Sequence, residues 1–411
     1  MDVFNPWWRG RLEEDPHLAR WAEQEVRWVP DLVYQIEARP YSLHFVYGPR
    51  QVGKTTALKL FIKRLLEEGR DPRSIFYYSC DMLSDYRELA EVLQEVARLK
   101  KTWRVGSAVV VLDEVTYPRE WYRALKHFID LGVFKNDVVI ATGSLSMFVK
   151  REVETFPGRR GGGLDYVLYP LSFRKFAEVA GAGEDYEAWR TRLEELFDLY
   201  LTCGGMPTSV VSCLSRGAPD PGADHLFVSS LSFDLARLGR SEAYVKRILK
   251  AVIARAPSPV SLNALAKESE IPSHKTVFSY LSLLENLFVL KQLYWVDPYT
   301  LQEDYKKERK IHFLDPAMHR AFARWAGASP PGPEVLLEAV VAMHLARAYK
   351  VGYWRNSREI DVVVPELGLG VEVKWGKAGR GGKVGRVSYI ELSRGDAVKF
   401  LLQLRNTSSQ L

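Results

Sequence analysis

The stretch Gly48-Pro49-Arg50-Gln51-Val52-Gly53-Lys54-Thr55 carries the spacing G-x-x-x-x-G-K-[ST]. Residues 43–47 before it are apolar and β-prone, and residues 56–66 after it place apolar positions at helical spacing. The spacing therefore predicts strand, tight loop and helix. In that context Gly48 and Gly53 let backbone N–H groups curl around phosphates, and the helix N-terminus adds its positive end. Lys54 is expected to reach the β- and γ-phosphates, and the Thr55 hydroxyl to ligate Mg²⁺. Pro49, Arg50, Gln51 and Val52 in the loop, with Thr56 just beyond it, complete the expected nucleotide-binding set. The pattern implies a nucleoside triphosphate site, for ATP or ADP with Mg²⁺.

Outward from this loop, strand-like runs at 43–47, 74–79, 108–112, 137–142 and 166–168 alternate with helical stretches such as 84–101 and 121–131. That alternation is the pattern of a parallel α/β sheet. Residues 108–112 predict a buried strand that delivers Asp113 and Glu114 at its C-terminal end, where ligands of such sheets sit. Asp113 is expected to hold Mg²⁺ through water, and Glu114 to polarise the attacking water. A further apolar run, 138–141, ends in Thr142, Gly143 and Ser144. Thr142 or Ser144 is a candidate for sensing the γ-phosphate, the alternative being a plain strand-end turn. In the basic glycine loop 156–163, Arg159 either stabilises γ-phosphate charge, in cis or from a neighbouring subunit, or is a solvated loop residue.

The chain has 411 residues, room for two to four domains, with 47% apolar and 26% charged residues, as in soluble globular proteins. No apolar run reaches membrane-spanning length and the first residues show no export pattern, so a cytoplasmic protein with no membrane partner is expected. Cys80, Cys203 and Cys213 lack paired metal-site spacing and read as buried thiols of a reducing compartment. A net charge of +6 permits a nucleic-acid partner without requiring one. Scarce Asn and Gln beside abundant Arg and Glu lean toward a thermophilic source. Residues 1–30 hold Trp7, Trp8, Trp21 and Trp28, an arm whose indoles either pack on the nucleotide-binding core or stack on a base.

Taken together, GPRQVGKTT from Gly48, VVVLDEV from Val109, ATGSLS from Ala141, PGRR from Pro157 followed by YPLSFRKF from Tyr169, and GGMP from Gly204 resemble the archaeal and bacterial AAA-type ATPases related to the STAND class. The resemblance spans nearly the whole chain after residue 30, with the motifs in the family's order. It implies that Ser144 is sensor-like, that Arg159 belongs to the arginine motif, and that Gly205 and Pro207 touch the base side of the nucleotide. It also implies a C-terminal half with winged-helix and nuclease-like parts. One departure is the run from Arg159 to Gly163, longer and more basic than the usual single arginine.

Residues 261–281 read as helix–turn–helix, the second helix starting after Ser273 as N-cap, with strand-like 290–296 and 309–314 as a wing. His274, Lys275 and Ser279 offer a thin basic face, open to DNA contact or to a protein–protein role. Residues 328–333 form a Pro/Gly-rich linker. Beyond it, a helix over 334–349 puts Glu338 on an apolar stripe, and strands follow at 359–364 and 370–375. Glu372 and Lys374 share one strand face, and a hairpin of this loop length places Asp361 opposite Glu372 to within one residue. Two carboxylates beside an ammonium suggest Mg²⁺, or Mn²⁺, held by Asp361 and Glu372, with Lys374 positioning or deprotonating water. This order, with Glu338 upstream, resembles the PD-(D/E)xK nuclease superfamily, whose catalytic set would here be Glu338, Asp361, Glu372 and Lys374. A nuclease-like fold kept as a binding or assembly module is the alternative.

The expected fold class is α/β, a P-loop NTPase (AAA-like) parallel-sheet core followed by an α-helical winged-helix module and a small α/β PD-(D/E)xK-like domain. The expected parts are an arm at 1–30, the ATPase core at 31–205, a helical lid at 206–245, the winged helix at 246–327 and the nuclease-like domain at 334–411. The expected function is ATP binding and hydrolysis that gates metal-dependent cleavage of DNA. The competing expectation is an ATP-dependent switch that binds DNA or a protein partner without cutting. Assembly with further copies of the chain is compatible with either.

Overall fold

The computed structural model describes residues 1–143 and 156–404, so Ser144 lies outside the described residues. The backbone divides after Leu168 into two compact units.

The first unit is a five-stranded parallel sheet: β1 (Ser42–Tyr47), β2 (Ile75–Ser79), β3 (Val109–Asp113), β4 (Val138–Thr142) and β5 (Asp165–Val167). Every residue of β1, β3 and β4 is buried, as their continuous apolar runs require in a sheet covered on both faces. The strand order is β2-β3-β4-β1-β5. β4 thus lies between the strand that feeds the glycine loop and the strand that carries Asp113. Its last residue, Thr142, is thereby delivered between them.

Residues 1–30 pack on the open edge of this sheet. The indoles of Trp7 and Trp8 both donate to the Ile75 carbonyl of edge strand β2, at 3.2 and 2.8 Å. Trp7 is buried. Of the two sequence alternatives for the arm, the structure realises packing, and it blunts an edge that would otherwise leave strand groups unpaired.

The second unit joins a helical set to a seven-stranded sheet of β6 (Leu290–Val296), β7 (Glu303–Phe313), β8 (Gly352–Arg355), β9 (Glu359–Val364), β10 (Leu369–Val373), β11 (Gly382–Val384) and β12 (Val387–Leu392). The order is β11-β12-β10-β9-β8-β6-β7. The helices over the expected helix–turn–helix are Leu262–Glu268 and His274–Asn286, with Ser273 capping the latter. The β6–β7 hairpin does not stand apart: β6 pairs in parallel with β8, Tyr294 opposite Gly352 and Trp295 opposite Tyr353. Strands on both sides of the 328–333 linker therefore share one sheet.

The expected boundary at 205/206 also shifts, because residues 169–205 pack within the second unit. Leu171 N donates to Gly205 O (2.8 Å), and the buried Tyr200 hydroxyl donates to Leu171 O (2.7 Å). His344 receives the Phe173 amide on Nε2 (2.9 Å) and meets Val340 O with Nδ1 (2.7 Å), which fixes it as the neutral Nδ1–H tautomer.

The reading of three free thiols is corrected. Cys203 and Cys213 form a disulfide, and Cys80 is a buried free thiol. Helix Tyr186–Cys203 ends at Gly204 and helix Pro207–Arg216 turns back on it, which brings the two Cα atoms to 6.3 Å. Among the described residues, no helix is long and apolar enough to cross a membrane.

His319 is buried, stacked on Phe313 at 4.4 Å, and neither ring nitrogen has a hydrogen-bond partner. Burial pushes its pKa down to about 4. Because the folded value lies below the unfolded one, the stability tied to neutral His319 is fully present above about pH 6.5. It is lost progressively as pH falls toward 4. His319→Phe is expected to unfold at higher denaturant than wild type at pH 5, by about 2 kcal/mol more than at pH 7.5. Equal differences at the two pH values in urea titrations would remove His319 from the acid response.

Candidate functional site

The loop after β1 closes with Gly48 at φ 150°, Gln51 at φ 64° and Gly53 at φ 93°. A Cβ on Gly48 would meet Leu168 O at 2.4 Å, so this position admits only glycine. Helix Lys54–Glu67 starts directly after Gly53, whose left-handed backbone makes the sharp entry. Lys54 is buried, and its Nζ donates to the loop carbonyls of Gly48 (3.0 Å) and Pro49 (3.2 Å). Arg50 is turned to Tyr117, with guanidinium nitrogens 3.2 and 3.3 Å from the phenol oxygen.

Asp113, at the end of β3, is the centre of the site. Its Oδ2 accepts from the Thr55 hydroxyl (2.6 Å) and the Tyr77 hydroxyl (2.8 Å). Its Oδ1 accepts from Thr142 Oγ1 (2.5 Å) and the Glu114 amide (3.1 Å). Three strands, β2, β3 and β4, and the loop helix thus contribute to one carboxylate. Hydrogen bonds to an ionised acceptor are the strong ones, so the carboxylate is held in one orientation. Thr55 Oγ1 and Asp113 present adjacent hard oxygens beside Lys54, a donor set that fits Mg²⁺. Glu114 takes a left-handed backbone (φ 51°), and its amide also donates to Thr142 Oγ1 at 2.9 Å. A non-glycine residue at positive φ directly after the carboxylate is the kind of local strain that gathers at functional sites.

The structure thus brings together Lys54, Thr55, Asp113 and Glu114 as the sequence predicts. Of the two sensor candidates, Thr142 joins them. Tyr77 was missed: a tyrosine two residues into an apolar strand gives no local signal of what its hydroxyl reaches.

Arg159 does not join this cluster. It forms a two-pronged ion pair with Asp130 at the end of helix Trp121–Asp130 (2.6 and 3.2 Å). The acid in that helix, unforeseen in the sequence, gives the arginine a local partner. Gly205 and Pro207 belong to the second unit. Gly205 N donates to Asp315 Oδ2 (2.7 Å), and a Cβ on Gly205 would meet Leu171 O at 2.1 Å. Close packing inside that unit accounts for this glycine, and Pro207 opens helix Pro207–Arg216.

The C-terminal acids form a second constellation. The β9–β10 ladder ends with Val362 facing Val371, which leaves Asp361 and Glu372 just beyond its last pair. Glu338, Asp361 and Glu372 are all buried. Their centre is not the expected lysine. Lys310, on β7, places its buried Nζ 2.7 Å from Glu338 and 2.8 Å from both Asp361 and Glu359. Asp361 Oδ2 meanwhile accepts the Val373 amide at 2.8 Å. Lys374, nearly half exposed, pairs instead with Glu372 at 2.5 Å, while Glu372 Oε2 is buried without a hydrogen-bond partner. Burial pushes the Glu338 carboxyl up to about 8, against the opposing pull of Lys310.

As arranged, these residues do not fit a divalent cation. The buried Lys310 ammonium, bonded to Glu338, Glu359 and Asp361, already supplies the positive charge these acids would otherwise take from a metal. Among the described residues no cluster of three or more His, Cys, Asp or Glu side chains is arranged to hold one.

Residues 41–177 match the family model described as an AAA domain, and residues 194–329 match a domain of unknown function, DUF8612. Most of the AAA match, residues 41–168, lies in the first unit. An uncharacterised protein of Haemophilus influenzae is 25% identical over 337 residues, spanning 77% of this chain and 78% of that one. An uncharacterised protein of Methanocaldococcus jannaschii is 26% identical over 189 residues, 44% of this chain and 36% of its own. Among solved structures, AMPPCP-bound DnaA from Aquifex aeolicus aligns with a TM-score of 0.32 and 13% identity, covering 62% of this chain and 86% of that one. A likeness that distant fixes nothing about what this chain acts on.

Proposed function

We propose that the chain is an ATP-binding and ATP-hydrolysing switch whose output is a change in binding, to DNA or to a protein partner, rather than strand cleavage. The observation that carries the ATP half is the convergence of Thr55, Thr142, Tyr77 and the Glu114 amide on Asp113 beside Lys54. Lys54 would exchange its loop carbonyls for the β- and γ-phosphates, and the helix N-terminus would face the same charge. Thr55 and Asp113 would hold Mg²⁺, which when bound neutralises phosphate charge. Glu114 would polarise the water that attacks, with Thr142 fixing the position of its amide.

The observation that favours switching over cutting is Lys310. Its ammonium already balances the acids that a metal-dependent nuclease would need. The nuclease reading keeps one specific support, the buried and unpartnered Glu372 Oε2 beside Lys374. Incubating the protein with linear, branched and single-stranded DNA in Mg²⁺ or Mn²⁺, with and without ATP, separates the two. Intact DNA with ATP-dependent retention of DNA or of a partner is the expected result. Cutting that disappears in Lys374→Ala would establish the nuclease instead.

A further inference from the structure

Tyr77 links two parts of the first unit. Its hydroxyl holds Asp113 Oδ2 at 2.8 Å, on the same oxygen that receives Thr55. Its backbone is gripped on the other side by the buried Asn5 of the arm. Tyr77 N donates to Asn5 Oδ1 (2.7 Å), and Asn5 Nδ2 donates to Tyr77 O (3.0 Å), as a neighbouring strand would. The ring is fixed as well. Lys59 Nζ lies 3.4 Å from its centroid and 4.9 Å from that of Trp7. That ammonium is paired with Asp15 at 2.9 Å, both side chains being almost fully buried, and it also donates to Phe4 O at 3.2 Å. Lys59 stands one helical turn after Thr55, so the arm reaches the loop helix and edge strand β2 at once.

We propose that Tyr77 is a positioning residue for Asp113 and that residues 4–15 set its pose, which makes the N-terminal arm part of the ATP site. Two hydrogen bonds converge on each oxygen of this carboxylate, and on Oδ2 a Mg²⁺ held through water would replace the Thr55 bond while the Tyr77 bond stays. Loss of the phenol hydroxyl opens one site on Oδ2 and leaves Thr55 alone to fix that oxygen. The ring would stay packed under Lys59, so the fold is preserved while the carboxylate loosens. Substitutions in the arm act on the same carboxylate from a distance, by releasing the β2 backbone at Tyr77.

The inference rests on the ATP reading, and the experiment keeps the two apart. Wild type, Tyr77→Phe and Asn5→Ala are compared by titration with ATP in the presence and absence of Mg²⁺, by kcat and KM for hydrolysis, and by thermal unfolding. Tyr77→Phe is expected to bind ATP without Mg²⁺ as wild type does. It should lose about tenfold of the tightening that Mg²⁺ gives and about tenfold in kcat, the scale of one hydrogen bond to a charged group. KM and the unfolding temperature should stay close to wild type. Asn5→Ala should show the same loss of Mg²⁺ response to a smaller degree. A Tyr77→Phe protein with wild-type Mg²⁺ response and kcat overturns the positioning role. An Asn5→Ala protein that only melts earlier overturns the role of the arm. Absence of ATP binding in wild type defeats the ATP reading itself, and this inference with it.

Discussion

Lys54→Ala is expected to lower ATP hydrolysis by about 100-fold or more, the scale of removing a preorganised group that stabilises transition-state charge. The Lys54 ammonium donates to the Gly48 and Pro49 carbonyls of the loop that precedes it, and the core beneath helix Lys54–Glu67 is built by other residues such as Leu58, Phe61 and Ile62. The variant should therefore fold and melt near wild type while binding ATP poorly. Phosphate release at saturating ATP, with the unfolding temperature measured on the same preparation, checks this. Hydrolysis above about a tenth of wild type would mean that Lys54 does not bear on the phosphates.

Lys310→Met should have the largest effect on stability. The substitution keeps bulk but leaves Glu338, Glu359 and Asp361 without their cation in a site where the first and third are buried. Breaking a buried ion pair from one side costs about 3–5 kcal/mol. The matched control is Lys374→Met, whose ammonium is about half exposed and pairs with Glu372 alone. This pair is open to solvent only at the lysine end, so screening holds its contribution to about 1 kcal/mol, above a fully exposed pair because Glu372 is buried. Urea titrations of the two variants should thus differ several-fold in destabilisation. Adding Mg²⁺ or Mn²⁺ should raise the stability of Lys310→Met and leave wild type unchanged, because only the variant offers uncompensated acids. A metal-stabilised wild type, with Lys310→Met no weaker than Lys374→Met, would show that the acids serve a metal after all.

The proposed nucleotide site was legible in the sequence because its signals are local. The spacing from Gly48 to Thr55 specifies the turn, and the apolar run ending at Asp113 specifies a buried strand with acids at its tip. What escaped reading depends on strand order. Tyr77 reaches Asp113 because β2 lies beside β3, and Thr142 reaches it because β4 is inserted between β3 and β1. Asn5 finds the Tyr77 backbone across 72 residues of sequence. The C-terminal acids and the Lys374–Glu372 pair were legible, but not the second lysine, Lys310, that stands among Glu338, Glu359 and Asp361. Glu372 and Lys374 are two residues apart on one strand, which a sequence displays. Lys310 arrives from β7 through a sheet that crosses the proline-rich linker, and no periodicity announces that β6 will pair with β8. Cys203 and Cys213 likewise looked like separate thiols until the turn at Gly204 folded one helix back on the other.

The central claim is that the loop, Lys54 and the Asp113 node form a magnesium-dependent ATP site. Calorimetric titration of ATP into the wild-type protein, with and without Mg²⁺, tests it most directly. The account predicts saturable binding of one ATP per chain, tighter when Mg²⁺ is present. Absence of binding, or binding indifferent to Mg²⁺, would contradict it.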